Sequence, residues 1–548
     1  MSRIRSILAF AACILTFTTG QAVQIRKSSG SHIPEYILPT DRDNPALWKG
    51  SSSPIRTRAV PPGGYANNDV PRTGNREYPL ILVDFKDHPF LLKDTIALRE
   101  RYNRMFNEKG YTDTATYRHN DIIFKGPTGS VSEYFKDQSY GKFTPTFRIV
   151  GPVHPSRGYE YYGQGNDHMI YTLIEEICDS LTASGEIDLA GYARNGNIDQ
   201  LSIIYSGRGE NYYGSDPNTI WPQASILPYN KNGINDIKFA CTCELFWDSD
   251  SIIDGIGTFC HEFSHTLGLP DFYNTSSSSD SETNAAMGYW SIMDYGCYEN
   301  EGFAPVGYTA FEKYSLGWMD LEEISYSGYY TLNEISVKSD PDNNIHTAYR
   351  LNTENDDQFI ILENHIKTGW YKYHAAEGFM VSTVNYDNNN WVSNTINNKY
   401  KHYQIIPADN DRNRDTNAGD LFPYLDIDSI TASGSPALVI PPGSSQEKPI
   451  YTLYSIYGIA KNGNLVSFQA AYDMPSGIST STVTDISITV EDGYISVDAP
   501  IGSRLSVHDI SGKSVIETVT TQPHQLLNLP SHGIWIVKCG DTVRKIQK

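Results

Sequence analysis

The chain has 548 residues, with 64 acidic against 43 basic side chains, a net charge of −21 and a pI near 5.1. That balance argues against nucleic acid or an anionic membrane surface as partner. The length allows three or four domains, and 38 Tyr with 43 Gly favour β-rich, loop-rich extracellular domains over helical bundles.

At the N-terminus, Arg3 and Arg5 precede an apolar run from Ile7 to about Phe17, which ends in small residues up to Gln21-Ala22. This is the pattern of a secretory signal peptide over 1–22, so a secreted or cell-surface protein is expected. No later stretch reaches the ~18 apolar residues of a membrane span. Residues 23–75 are poor in apolar side chains and rich in Pro, Gly and Ser, which predicts a pro-segment rather than a packed domain. It contains no Cys, which excludes a thiolate as the silencing group; Asp41, Asp43 and Asp69 are the alternative candidates.

Order is expected to begin at YPLILVDFKD (Tyr78–Asp87), a buried strand. Gly126–Val150 predicts a capped helix and then a strand, His168–Leu181 a helix, Ile198–Glu210 a core strand, and Thr219–Ser225 a short edge strand. Such alternation gives an α/β layout with a mixed sheet for a catalytic domain over 76–325.

The most informative string is HEFSHTLGLPD, His261 to Asp271. Residues four apart share a helix face, so His261 and His265 can reach one metal ion, with Glu262 positioned as a base on its bound water. Gly268 ends the helix, and the returning turn can present Asp271 as third ligand. Three protein ligands and one water are expected of a catalytic Zn2+, whereas structural zinc is closed by four protein groups. Apolar residues in Ile252–Cys260 give this helix a core-facing stripe. Downstream, Ser291-Ile292-Met293-Asp294-Tyr295 resembles a metzincin Met-turn, with Met293 beneath the zinc. Tyr295 then has two readings: a hydrogen-bond donor to the developing oxyanion, or core packing. The third ligand also has an alternative, Glu312 in the FEKYSLGW segment, as in gluzincins.

From Ile324 to Tyr472, short alternating segments between Asn/Asp/Gly turns predict a β-sandwich domain, 326–475. Asp409–Asp420 is rich in oxygen ligands and offers either a structural Ca2+ loop or a solvated acidic loop. A Ser/Thr linker (476–484) leads to a small all-β domain, 485–548. Cys13 leaves with the signal peptide, and spacing fixes no pairing among Cys178, Cys241, Cys243, Cys260, Cys297 and Cys539. The Cys241-x-Cys243 pair lacks the second pair of a zinc site.

Taken in order, LILVDFKD, TGSVSEYFKDQSYGK, HEFSHTLGLPDFY, GYWSIMDYG, FEKYSLGW, ILEN (Ile361–Asn364) and GDLFP (Gly419–Pro423) resemble the immune inhibitor A family of secreted zinc metallopeptidases, over about Tyr78–Asp473. The resemblance implies a signal, a pro-segment, a metzincin-like α/β catalytic domain, β-rich C-terminal parts, and proteolysis of extracellular protein substrates. It implies His261, His265 and Asp271 as metal ligands and Glu262 as catalytic residue. RNGNIDQ (Arg194–Gln200) has fewer Asp than relatives carry there, which puts an ion at that place in doubt. The last domain resembles the C-terminal sorting domain of type IX secretion cargo, implying contact with an export machinery. A monomeric zinc endopeptidase is therefore expected. The rival is a catalytically decayed adhesin or glycan-binding protein on a peptidase scaffold, which the intact Glu262 opposes.

Overall fold

The computed structural model describes residues 71–547 except 113–117, 120–121, 124–127, 168, 212–217, 247–251, 276–285, 354, 412–415, 417, 444–447, 453, 473–485, 492–493, 500–502, 521–523, 528–532 and 541. The expected signal peptide, nearly all of the pro-segment and the linker at 476–484 lie outside the described residues. The chain divides into two compact units, Met1–Ala470 and Ala471–Lys548.

The first unit is built on a mixed sheet. Its main strands are β1 (Gly74–Val83), β2 (Phe143–Val153), β3 (Asn197–Arg208), β4 (Gln223–Lys231) and β5 (Ile234–Leu245), in the order β2-β1-β3-β5-β4. The pairs β1–β2, β1–β3 and β3–β5 are parallel, while β4 runs antiparallel to β5 at the edge. Successive strand side chains point to opposite faces, and β1 divides accordingly. Tyr78, Leu80 and Leu82 enter one apolar core; Ile81 and Val83 enter another.

Helices cover both faces: α1 (Thr95–Asn107), α2 (Val131–Gln138), α3 (Tyr159–Asp167), α4 (Ile170–Ser184) and α5 (Gly257–Thr266). In α4, Ile170, Leu173, Ile174, Ile177 and Leu181 recur at helical spacing and join the second core. The helix stops at Gly185, whose φ of 67° is the left-handed cap that a β-carbon disfavours. Helix α2 starts on a reciprocal capping box between Ser130 and Glu133, as its sequence predicts.

The edge strand falls at Gln223–Lys231 rather than at Thr219–Ser225. Asn232 and Gly233, at φ 53° and 79°, make a tight turn that pairs Lys231 with Ile234 and fixes the hairpin register. Trp221-Pro222 therefore stand just before the strand.

From residue 320 the described chain is mostly β. The strands β6 (Gly328–Leu332), β7 (Ala348–Asn352), β8 (Gln358–His365), β9 (Gly378–Asn385), β10 (Tyr403–Ile405), β11 (Tyr454–Asn462) and β12 (Leu465–Tyr472) form two main sheets. One has the order β10-β9-β8-β7 with Glu322–Glu323 at its edge; the other is β6-β12-β11. Phe468 joins them, 5.0 Å from Phe379 and 6.2 Å from Tyr349. On the opposite face of β8, Phe359 and Ile361 share the first core with α5 and with α6 (Ala310–Ser315). The expected boundary at 325–326 thus lies within one unit with a continuous apolar core.

The second unit has two sheets. Strands β13 (Ser487–Glu491), β14 (Tyr494–Asp498) and β17 (His524–Leu527) form one, in the order β13-β14-β17; β15 (Arg504–Asp509), β16 (Ser514–Val519), β18 (Ile534–Cys539) and β19 (Thr542–Gln547) form the other, in the order β16-β15-β18-β19. Their shared core includes Ile495, Val497, Leu505, Val507, Val537 and Trp535.

Candidate metal centre

Every residue of α5 is buried. Phe259, Cys260 and Phe263 anchor it in the first core, and Phe263 packs edge-on at 5.6 Å against Tyr78 of β1. This stripe fixes the helix rotation and leaves His261, Glu262 and His265 off the aromatic side. The imidazole Nδ1 atoms lie 2.8 Å from carbonyl oxygens, His261 facing Ile292 and His265 facing Leu269. Carbonyls only accept, so each Nδ1 carries a proton and each Nε2 is the atom turned toward the other imidazole and Asp271.

The chain turns sharply after α5. Gly268 has φ of 104°, the Gly268 N–H donates to His265 O at 2.9 Å, and the Leu269 N–H donates to Ser264 O at 3.2 Å. Asp271 comes round with Oδ1 at 3.0 Å from His261 Nε2 and 3.4 Å from His265 Nε2. The two Nε2 atoms are 3.2 Å apart, and all three candidate ligand atoms lie within 4.8 Å of one another. Asp271 Oδ1 is buried and accepts no hydrogen bond. Burial opposes its ionisation, yet His265 and His261 hold this carboxyl well below the usual carboxylate range. A buried carboxylate facing two imidazole nitrogens calls for positive charge among them, which a bound metal ion supplies as well as protonated imidazoles do. Two nitrogens and one oxygen form a donor set that suits zinc.

Glu262 and His261 line a small cavity of about 10 Å³, the room of one water, with Thr258, Tyr273, Asp294 and Trp221 among the other walls. The candidate Met-turn passes the same place. Met293 is fully buried, and its carbonyl accepts the Phe272 N–H at 2.7 Å, joining this turn to the segment that carries Asp271. Asp294 Oδ2 accepts three backbone N–H groups, from Ala286, Met287 and Gly288. Burial outweighs these bonds and pushes the Asp294 carboxyl up to about 6.

Glu312, the other candidate third ligand, is absent from the converging group. Its Oε1 accepts from Ser291 Oγ at 2.5 Å and from the Met293 N–H at 3.3 Å; its Oε2 accepts from the N–H and hydroxyl of Thr309. It caps α6 and braces the Met-turn, with burial pushing its carboxyl up to about 7. Tyr295 stacks at 6.1 Å on Tyr273, which stacks at 6.4 Å on His261; Tyr273 lines the cavity.

Sequence reasoning missed Asn394, Asn397 and Tyr273. Asn394 is the nearest polar partner of Asp271: its Nδ2 donates to Asp271 Oδ2 at 2.7 Å. The asparagine-rich run NNNWVSNTINN, residues 388–398, was the one available signal. At the calcium candidate, Asp420 Oδ2 accepts from Trp290 Nε1 at 2.7 Å, while 412–415 lie outside the described residues. Asp199, in the doubtful stretch 194–200, faces Arg194 at 3.0 Å and Arg76 at 3.6 Å. The six described cysteines are buried and form no disulfide with one another.

Residues 72–322 match the family model for the catalytic domain of immune inhibitor A peptidase M6. This segment is thus similar to the catalytic domain of M6 peptidases. The match spans under half of the chain. Two curated relatives, each described as a pre-pro-metalloprotease PrtV, come from Vibrio cholerae serotype O1 strains M66-2 and ATCC 39315 / El Tor Inaba N16961. Each is 27% identical over 310 residues, which is 47% of this chain and 31% of the relative. The chain thus matches under a third of their length. Among the described residues, no helix is long and apolar enough to cross a membrane.

Proposed function

We propose that this protein is a secreted endopeptidase that hydrolyses peptide bonds of extracellular proteins, with His261, His265 and Asp271 holding zinc and Glu262 acting as general base. The observation that carries this is the convergence of Asp271 Oδ1, His261 Nε2 and His265 Nε2 within 4.8 Å of one another, with Glu262 next to His261 on the cavity wall. Bound there, zinc would supply Lewis acidity to a peptide carbonyl and to water. Glu262, in the cavity wall, takes the proton of the attacking water and returns it to the leaving amine. Strand β4 ends the described sheet order, and an extended peptide can add along its rim as a further strand. Tyr295 or its stacking partner Tyr273 then steadies the oxyanion through a phenolic hydroxyl. Comparing Tyr295→Phe with Tyr273→Phe distinguishes them: the donor is the one whose loss lowers kcat while zinc content holds.

The decisive measurement is casein cleavage by chain freed of its pro-segment. Glu262→Gln should abolish cleavage while zinc remains bound; full activity in that variant ends the proposal. Residues 485–548, an all-β body without a metal-binding group among its described residues, are assigned as an export-sorting domain. Export of chain lacking 485–548 at the normal level would overturn that assignment. For calcium, Asp420 is buried and its Oδ2 is committed to the Trp290 indole, which argues against it as an ion ligand. Luminescence from terbium bound at Asp409–Asp420 would reverse this.

A further inference from the structure

Four side chains of one short segment reach across to the chain that carries Asp271. Helix α7 (Asn388–Val392) and the residues after it lie more than 115 positions downstream. Trp391 Nε1 donates to Gly268 O at 3.0 Å, Asn397 Nδ2 donates to Phe272 O at 2.8 Å, and Asn398 Oδ1 accepts the Thr275 N–H at 2.8 Å. Between them, Asn394 grips Asp271 twice: its Oδ1 accepts the Asp271 N–H at 2.6 Å, and its Nδ2 donates to Asp271 Oδ2 at 2.7 Å.

We propose that residues 391–398 form a clasp that sets the third metal ligand, with Asn394 as its positioning residue. This rests on Asp271 being a ligand, as put forward above. The chemistry of the amide explains why Asn stands here. Only a side chain with both an acceptor and a donor can satisfy the Asp271 N–H and bind Oδ2 together. That double hold fixes the carboxylate plane and leaves Oδ1 turned to the two imidazoles. Asp at this position would put a second anion against Oδ2. Residue 394 also adopts φ of 56°, a left-handed conformation that Asn tolerates better than most residues. Asn394 itself is buried, so little water is at hand to replace the amide. The metal site is therefore completed from outside the segment 72–322 that matches the peptidase domain.

The test is zinc affinity of the full chain, measured by competition with a chromophoric chelator, alongside melting curves. Asn394→Gly removes the amide without straining the left-handed backbone. It should weaken zinc binding ~10- to 100-fold, the usual effect of losing a partner that orients a metal ligand. Asn398→Ala, which releases Thr275 and leaves Asp271 untouched, should stay within about 3-fold by the same scale. Cobalt substituted for zinc should show a shifted visible absorption band in Asn394→Gly only. Wild-type zinc affinity in folded Asn394→Gly overturns the proposal, and so does an equal loss in both variants. If Asn394→Gly does not fold, Asn394→Asp carries the test, because Asp tolerates the left-handed backbone but cannot donate to Asp271 Oδ2, and wild-type affinity there is equally fatal. Unchanged zinc binding in Asp271→Ala would instead remove the underlying ligand assignment, which separates the two failures.

Discussion

The two halves of the metal centre are built by different physics. Helix α5 places His261, Glu262 and His265 by local rules: i to i+4 spacing, backbone hydrogen bonds, and an aromatic stripe that sets rotation. In the turn 268–275 the local bonds are those of Gly268 and Leu269 back to helix α5. The turn is further held by Met293 O on one side and by Trp391, Asn394, Asn397 and Asn398 on the other. A ligand on a helix is positioned by its neighbours in sequence. A ligand on a turn has to borrow its geometry from distant chain.

If that contrast holds, the largest effect should follow from removing the distant chain. A protein ending at 325 keeps the whole HEFSHTLGLPD string but loses the clasp and the core residues Phe359, Ile361, Met380 and Tyr403. It should fail to bind zinc and should lose cooperative melting; stoichiometric zinc in that truncated chain would show that local sequence suffices. Next comes the helix-borne base. Glu262→Gln should lower kcat ~10²- to 10⁴-fold with zinc content and Tm unchanged, as expected for loss of a general base. A smaller change should follow from Gly268→Ala. The residue sits at φ 104°, where a β-carbon costs about 1–3 kcal/mol. The expected result is weaker zinc binding and a Tm lower by several degrees, and a wild-type melt would show that the turn relaxes freely.

The same contrast explains what could be read before the fold was seen. Helices α2, α4 and α5, the core strands β1 and β3 and the converging triad were legible because each follows a short-range period or spacing, whereas α1 and α3 were not read from the sequence. In Met293 and Gly268 a residue type announces a local geometry. Asn394 was not legible: it is one of several Asn in a polar run, and only the fold brings it to Asp271. Glu312 was ambiguous for the same reason, since helical spacing cannot tell a carboxylate aimed at a metal from one that caps its own helix and braces Ser291. The edge strand was misplaced by a few residues because the Asn232-Gly233 turn, rather than the apolar run, sets the register.

A last junction between the two regions depends on pH. Lys313 of α6 is fully buried; its Nζ donates to Tyr140 Oη and to Ile335 O, each at 3.1 Å, and lies 4.4 Å over the Tyr140 ring. Burial lowers its pKa from 10.5 to about 7. Between pH 7 and 10.5 the unfolded chain therefore holds a proton that the folded chain has released. Stability from this group rises with pH in that window, by at most about 1.4 kcal/mol per unit. Below pH 7 both states hold the proton and the slope vanishes. Lys313→Met removes the titration, so the wild type should gain on the variant by on the order of 1–2 kcal/mol between pH 7.5 and 9. Paired thermal melts at those two values read this directly. A Tm gap of the same size at both would mean that Lys313 keeps its charge in the core, with Glu363 and Glu312 as the facing carboxylates.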